Sequence, residues 1–75
     1  MTALNLQLSH CDGALVRVLG VTERRGFPLV SIEAQPCGTQ NSLLVELRVH
    51  DERPIEHLTK QLRKLHDVLK VEVLQ

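Results

Sequence analysis

Residues Ala3 to Leu8 alternate, with Leu4, Leu6 and Leu8 on one side and Asn5 and Gln7 on the other. A period of two is that of a half-buried strand. From Gly13 to Arg25 the period lengthens. Leu15, Val18, Leu19 and Thr22 recur at i, i+3, i+4 and i+7, which sets an inward stripe on a helix and leaves Arg17, Glu23 and Arg24 to water. Asp12 can accept hydrogen bonds from the free amides of the first turn, and Gly13 allows a tight bend into it. Arg24 and Arg25 suit the negative end of the helix dipole, and Gly26 can take the left-handed conformation that stops a helix. Gly20, inside the helix, costs about 1 kcal/mol relative to alanine and marks a position of close packing.

The period returns to two at Leu29–Gln35, where Val30, Ile32 and Ala34 oppose Ser31, Glu33 and Gln35. Turn formers fill 36–41, and Leu43–Val49 makes a third strand that should form a hairpin with the second. Pro54 fits the first position of a helix, where a missing amide is harmless. Ile55, Leu58, Leu62 and Leu65 then give a narrow apolar stripe, with Lys60, Arg63 and Lys64 outside it. Leu69, Val71 and Val73 against Lys70 and Glu72 predict a fourth strand. The order β-α-β-β-α-β, with alternating strands and amphipathic helices, predicts an α+β, ferredoxin-like fold: a four-stranded antiparallel sheet with both helices on one face. Right-handed crossovers place the strands in the order four, one, three, two. Strand two is then an exposed edge, and its pairing with a second copy predicts a homodimer with one continuous sheet.

Residues 1–75 form one domain, small enough to bury only roughly 60% of its unfolded surface, which favours self-association. Nine basic and nine acidic residues cancel, and Phe27 is the single aromatic. Nucleic-acid binding, which asks for a positive footprint and stacking rings, is therefore not expected. The first residues lack a signal-peptide pattern and no apolar run approaches the roughly 20 residues of a membrane span, so the chain reads as soluble and cytoplasmic. Cys11 and Cys37 read as free thiols.

The predicted topology gathers His10, Cys11, Asp12, Cys37 and His66 at one end of the domain. The ends of strands one and two are separated by strand three, about 10 Å, which is too far for a relaxed disulfide and strains a shared metal site. These residues read as loop, and His50 and His57 as surface. A nucleophilic pair of Cys11 with His66 would lack an orienting third group. No GxGxxG run or Walker lysine suggests a phosphate cofactor. What remains is the loop at Asp12–Gly13, either a plain strand-to-helix turn or a place where free helix amides hold a carboxylate.

Two stretches resemble a known family. Gly13-x-Leu15-x-Arg17-Val18, then Arg24-Arg25-Gly26-Phe27 and Ser31, is similar to the first half of the ACT domain of acetolactate synthase small (regulatory) subunits. Gln61-Leu62-x-Lys64-Leu65-x-Asp67-Val68-x-x-Val71 resembles that family's exit from helix two into the last strand. The resemblance implies a chain without catalytic residues of its own that binds and activates an acetolactate synthase large catalytic subunit. That subunit would carry thiamine diphosphate, Mg and FAD and join two 2-oxo acids in branched-chain amino-acid synthesis. Longer relatives carry a further domain; a chain stopping after the fourth strand resembles the short isozyme II type.

The family binds valine at the ACT dimer interface. Carried onto this sequence, the effector positions are His10, Asp12, Gly13, Ala14 and Leu15, with Pro28, Val30, Ser31 and Ile32. Here His10 replaces an Asn, Asp12 a Pro, and Pro28 another Asn. Proline donates no backbone hydrogen bond, and an aspartate at the loop repels an amino acid's carboxylate. Valine inhibition is therefore expected to be weak or absent. Two other readings stand beside this one: a free-standing ACT-domain amino-acid sensor, and, less well served by Arg17 lying inside the helix, an acyl-phosphate hydrolase.

Overall fold

The computed structural model describes residues 1–9, 13–36 and 41–74. Its elements are β1 (Thr2–Ser9), α1 (Ala14–Arg24), β2 (Leu29–Pro36), β3 (Ser42–Val49), α2 (Ile55–Arg63) and β4 (Val68–Val73). The sheet runs β2-β3-β1-β4, every pair antiparallel, as the sequence predicts. Leu4, Leu6 and Leu8 of β1 stand opposite Leu47, Val45 and Leu43 of β3, so two alternating strands lay one apolar surface under the helices. Val18 and Val21 of α1, Leu58 and Leu62 of α2, and Phe27 close over it. Thr22 is buried among them because its hydroxyl donates to the Val18 carbonyl at 2.8 Å.

The end of α1 follows from its sequence. Gly26 adopts φ 83°, its amide donates to the Glu23 carbonyl, and the Phe27 amide donates to the Thr22 carbonyl at 3.1 Å. This pair of bonds across a left-handed glycine satisfies carbonyls a helix end leaves open, and it turns Phe27 into the core.

Both edge strands depart from strict alternation. In β2, Leu29 faces Val49 and Ser31 faces Arg48, so Val30 is an extra, bulged residue and is 41% exposed. Leu29 and Ile32 therefore pack on the core and Val30 does not, while Ala34, opposite Val45, is exposed. In β4, Gln7 pairs Lys70 and Leu8 pairs Val68, which leaves Leu69 outside at 59% exposure while Val68 and Val71 pack on the core. A bulge resets a period of two, and at Leu29-Val30 and Val68-Leu69 either neighbour is apolar enough to face inward. Pro54 also lies one residue earlier than expected, at the N-cap with ψ 128°, and its carbonyl accepts from the His57 amide.

Gly20 does not mark close packing. A methyl group there would meet nothing nearer than the Arg24 guanidinium at 4.0 Å. Gly20→Ala is expected to stabilise the protein by about 0.5–1 kcal/mol by restricting the unfolded chain, a rise in Tm of about 2–8 °C. A thermal melt with an unchanged or lower midpoint would contradict this.

Candidate functional site

The sequence points to the N-terminus of α1, and the structure builds that corner from three segments. Gly13 caps α1 with φ 81°, a backbone conformation that residues with a side chain rarely adopt, and its carbonyl accepts the Arg17 amide at 2.9 Å. Ala14 is buried, and Leu15 and Leu19 are half-buried along one flank of the helix. On the opposite flank Arg17 keeps half of its side chain in water, as expected of it, and is ion-paired as well. Its Nε donates to Asp67 Oδ2 at 2.6 Å, and its Nη2 donates to the same oxygen.

Asp67 is 8% exposed, in the turn from α2 to β4, and its carbonyl accepts the Ser9 amide at 2.7 Å. One residue thus ties together the end of β1, the first turns of α1 and the entry to β4. The Arg17 guanidinium also lies against Gly13, 3.1 Å from where a Cβ would stand. Sequence reasoning missed this pair because the partners are 50 residues apart. The available signal was that Arg17 and Asp67 each sit in one of the two motif stretches.

The remaining effector positions lie elsewhere in the chain. Pro28 is exposed and its carbonyl accepts the His50 amide; Val30 and Ser31 are exposed on the edge of the sheet; Ile32 is half-buried. Residues 28–32 enter β2 from the C-terminal end of α1, whereas residues 13–15 lie at its N-terminal end. The 11 residues of α1 span roughly 16 Å, so one chain does not bring the two groups together. His10 and Asp12, and with them Cys11 and Cys37, lie outside the described residues; His66 is exposed.

Elsewhere, Asp51 binds the Met1 ammonium at 2.8 Å and the Thr2 hydroxyl at 2.5 Å. These contacts, the ammonium first, lower its carboxyl to about 2. It stands at the opposite end of the sheet from Gly13 and has no part in this corner. An open hollow of about 600 Å³ lies on the sheet face away from the helices, lined by Asn5, Glu33, Gln35, Leu44 and Glu46. Among the described residues no helix is long and apolar enough to cross a membrane.

The family model of the ACT domain matches residues 10–71, nearly the whole fold just described. This chain belongs to the ACT-domain family. Its ACT fold superposes on the crystal structure of the acetolactate synthase small subunit of Thermotoga maritima with a TM-score of 0.86 and 27% identity, covering 99% of this chain and 47% of that one. The ACT domain of the Chlorobium tepidum GTP pyrophosphokinase shares the fold alone, at 17% identity and a TM-score of 0.82, covering 97% of this chain and 95% of that one.

In sequence, the ACT domain is 38% identical over 72 residues to the acetolactate synthase isozyme 3 small subunit of Escherichia coli, covering 95% of this chain and 44% of the relative. It is also 38% identical over 71 residues to the probable acetolactate synthase small subunit of Methanothermobacter thermautotrophicus, covering 91% and 41%. The chain spans less than half the length of the curated relatives it matches.

Proposed function

We infer that this ACT domain acts as a non-catalytic regulatory subunit, or the regulatory part of one, which binds and activates the thiamine-diphosphate-dependent catalytic subunit of acetolactate synthase. The observation that carries the reading is the match to acetolactate synthase small subunits over nearly all of this chain. The joining of the two motif stretches through Arg17 and Asp67 supports it. Thiamine diphosphate, Mg and FAD belong to the catalytic partner in this reading.

Pairing of two copies along β2 is part of the proposal. The outer edge of β2 leaves backbone donors and acceptors without a strand partner, and Leu15 and Leu19 are half-buried above. A two-fold axis at this edge would run the partner's β2 antiparallel, bringing its Val30–Ile32 toward the Gly13–Leu15 end of the first chain. The effector positions separated within one chain would then meet between two. In that corner Asp12 would oppose an amino acid's carboxylate and Pro28 would offer no amide, so valine inhibition is expected to be weak or absent.

Acetolactate formation by the catalytic subunit from the same source, with and without this chain and across a valine titration, tests the reading. Activation that persists in valine is expected. Absence of both activation and co-elution would overturn it in favour of an amino-acid sensor working without an enzyme partner. The pairing has its own check: the wild-type chain should sediment as a dimer at micromolar concentration. Ser31→Lys with Ala34→Lys, which places like charges along the edge, should give a folded monomer. A monomeric wild type would contradict the β2 interface.

A further inference from the structure

Pairing along β2 leaves the other edge of the sheet open. Among the described residues β4 pairs only with β1. Lys70 and Glu72 stand opposite Gln7 and Asn5, on the face away from the helices, and Val71 and Val73 stand opposite Leu6 and Leu4, on the core side. Leu69, Val73 and Leu74 are 59%, 45% and 44% exposed, so three large apolar side chains meet water along one unpaired strand and its end. Single exposed apolar residues are ordinary, but a row of them on an open edge is a template for another strand. A shallow hollow of about 280 Å³ lies along the same edge, lined by Arg63, Val68, Leu69, Lys70 and Val71.

The order of charges along β4 decides which strand fits it. Two copies related by a two-fold axis through the plane of the sheet run antiparallel. The period of two then requires the axis to pass through a residue, so that side chains of the same face meet. An axis through Lys70 sets lysine against lysine, and one through Glu72 sets glutamate against glutamate. With the axis through Val71, Lys70 of each copy faces Glu72 of the other, and Leu69 of each faces Val73 of the other. Opposite charges directly across a strand pair are favourable, and like charges are not. Lys70 and Glu72 are both exposed, and neither is ion-paired to another described residue. A lysine on an edge strand guards against pairing with a second copy, and here the glutamate two residues further on lifts that guard in one register.

We propose that β4 is a second self-association edge, which pairs antiparallel with β4 of another copy in the register centred on Val71. The strand has six residues against the eight of β2, so this contact is the weaker of the two and forms at higher protein concentration. Self-complementary contacts on opposite edges extend a sheet without closing it, so β4 joins β2-paired dimers into tetramers and longer arrays.

Sedimentation equilibrium of the whole chain up to submillimolar concentration tests this, with folding checked by thermal melts. The variant Ser31→Lys with Ala34→Lys removes the β2 contact, and it should be monomeric at micromolar and dimeric at submillimolar concentration. In that background Lys70→Glu and Glu72→Lys should each weaken association by about tenfold or more. An equal mixture of the two should recover the affinity of the background to within about twofold, because every charge across the axis then meets its opposite. Recovery by mixing cannot arise from a change in folding. If the background variant fails to fold, the dimer-to-tetramer step of the wild type is read with the same two substitutions. No association at submillimolar concentration, association that neither substitution weakens, or a mixture no tighter than its components would each overturn the proposal. A background variant already dimeric at micromolar concentration and separated by Lys70→Glu would support β4 pairing as the principal contact and contradict the β2 interface alone.

Discussion

Phe27→Ala is expected to remove about 3–5 kcal/mol of stability, the usual range for truncating a fully buried phenylalanine. Phe27 is 0% exposed and is the chain's one aromatic residue, packed with Val18, Val21 and Leu58 in the core between sheet and helices. Its amide also completes the helix stop at Gly26, so the truncated side chain would leave a void where the chain turns from α1 into β2. A domain of this length holds only about 4–11 kcal/mol in total, so the substitution takes a large share of it. The melting midpoint should fall by more than about 12 °C. Phe27→Leu, which retains most of the volume, should cost about 1–2 kcal/mol. Chemical denaturation of the two variants separates the contributions, and a loss under about 1.5 kcal/mol for the alanine variant would mean that the site collapses around the smaller side chain.

Arg17→Ala should destabilise the protein by about 1–3 kcal/mol, below the range for breaking a fully buried ion pair because the arginine side chain is 50% exposed. The cost arises chiefly at Asp67, whose side chain is 11% exposed and would lose its charged donors. Asp67→Asn alone should cost less than Arg17→Ala, since it removes the buried charge as well as the pair. In the double variant the two effects should fail to add by more than about 0.5 kcal/mol. Additive losses in a double-mutant cycle would show that the contact carries no coupling. The same variants report on function: the pair holds the first turns of α1 against the end of β1, so Arg17→Ala should raise hydrogen exchange at Leu15–Val18 more than in β3.

The readings that succeeded rest on local chemistry. A glycine that follows a helical run ending in arginines and precedes an apolar residue favours a helix stop, and Arg25-Gly26-Phe27 closes α1 with those bonds. Leu4, Leu6 and Leu8 alternate without an apolar neighbour between them, which leaves β1 one choice of buried face. Where two apolar residues adjoin, at Leu29-Val30 and Val68-Leu69, the pattern admits two registers. The bulges against β3 and β1 selected the one that the sequence reading did not. Gly20 misled for a related reason: composition records a missing side chain, and only the neighbours reveal whether anything fills its place.

The effector corner was legible in part. Gly13 stands in the left-handed conformation that its type suggests, and Ala14 and Leu15 follow it into the helix. That residues 13–15 and 28–32 lie at opposite ends of α1 could be seen only after the helix length and strand order were joined. By itself, then, the sequence determined the six elements, their order in the sheet and the family, because periodicity, caps and turns act over a few residues. The tertiary structure alone decided the partners of Arg17 and Asp67 and the faces of Val30 and Leu69. Those depend on which distant segments become neighbours, and contacts between residues dozens of positions apart leave no periodic trace in the chain.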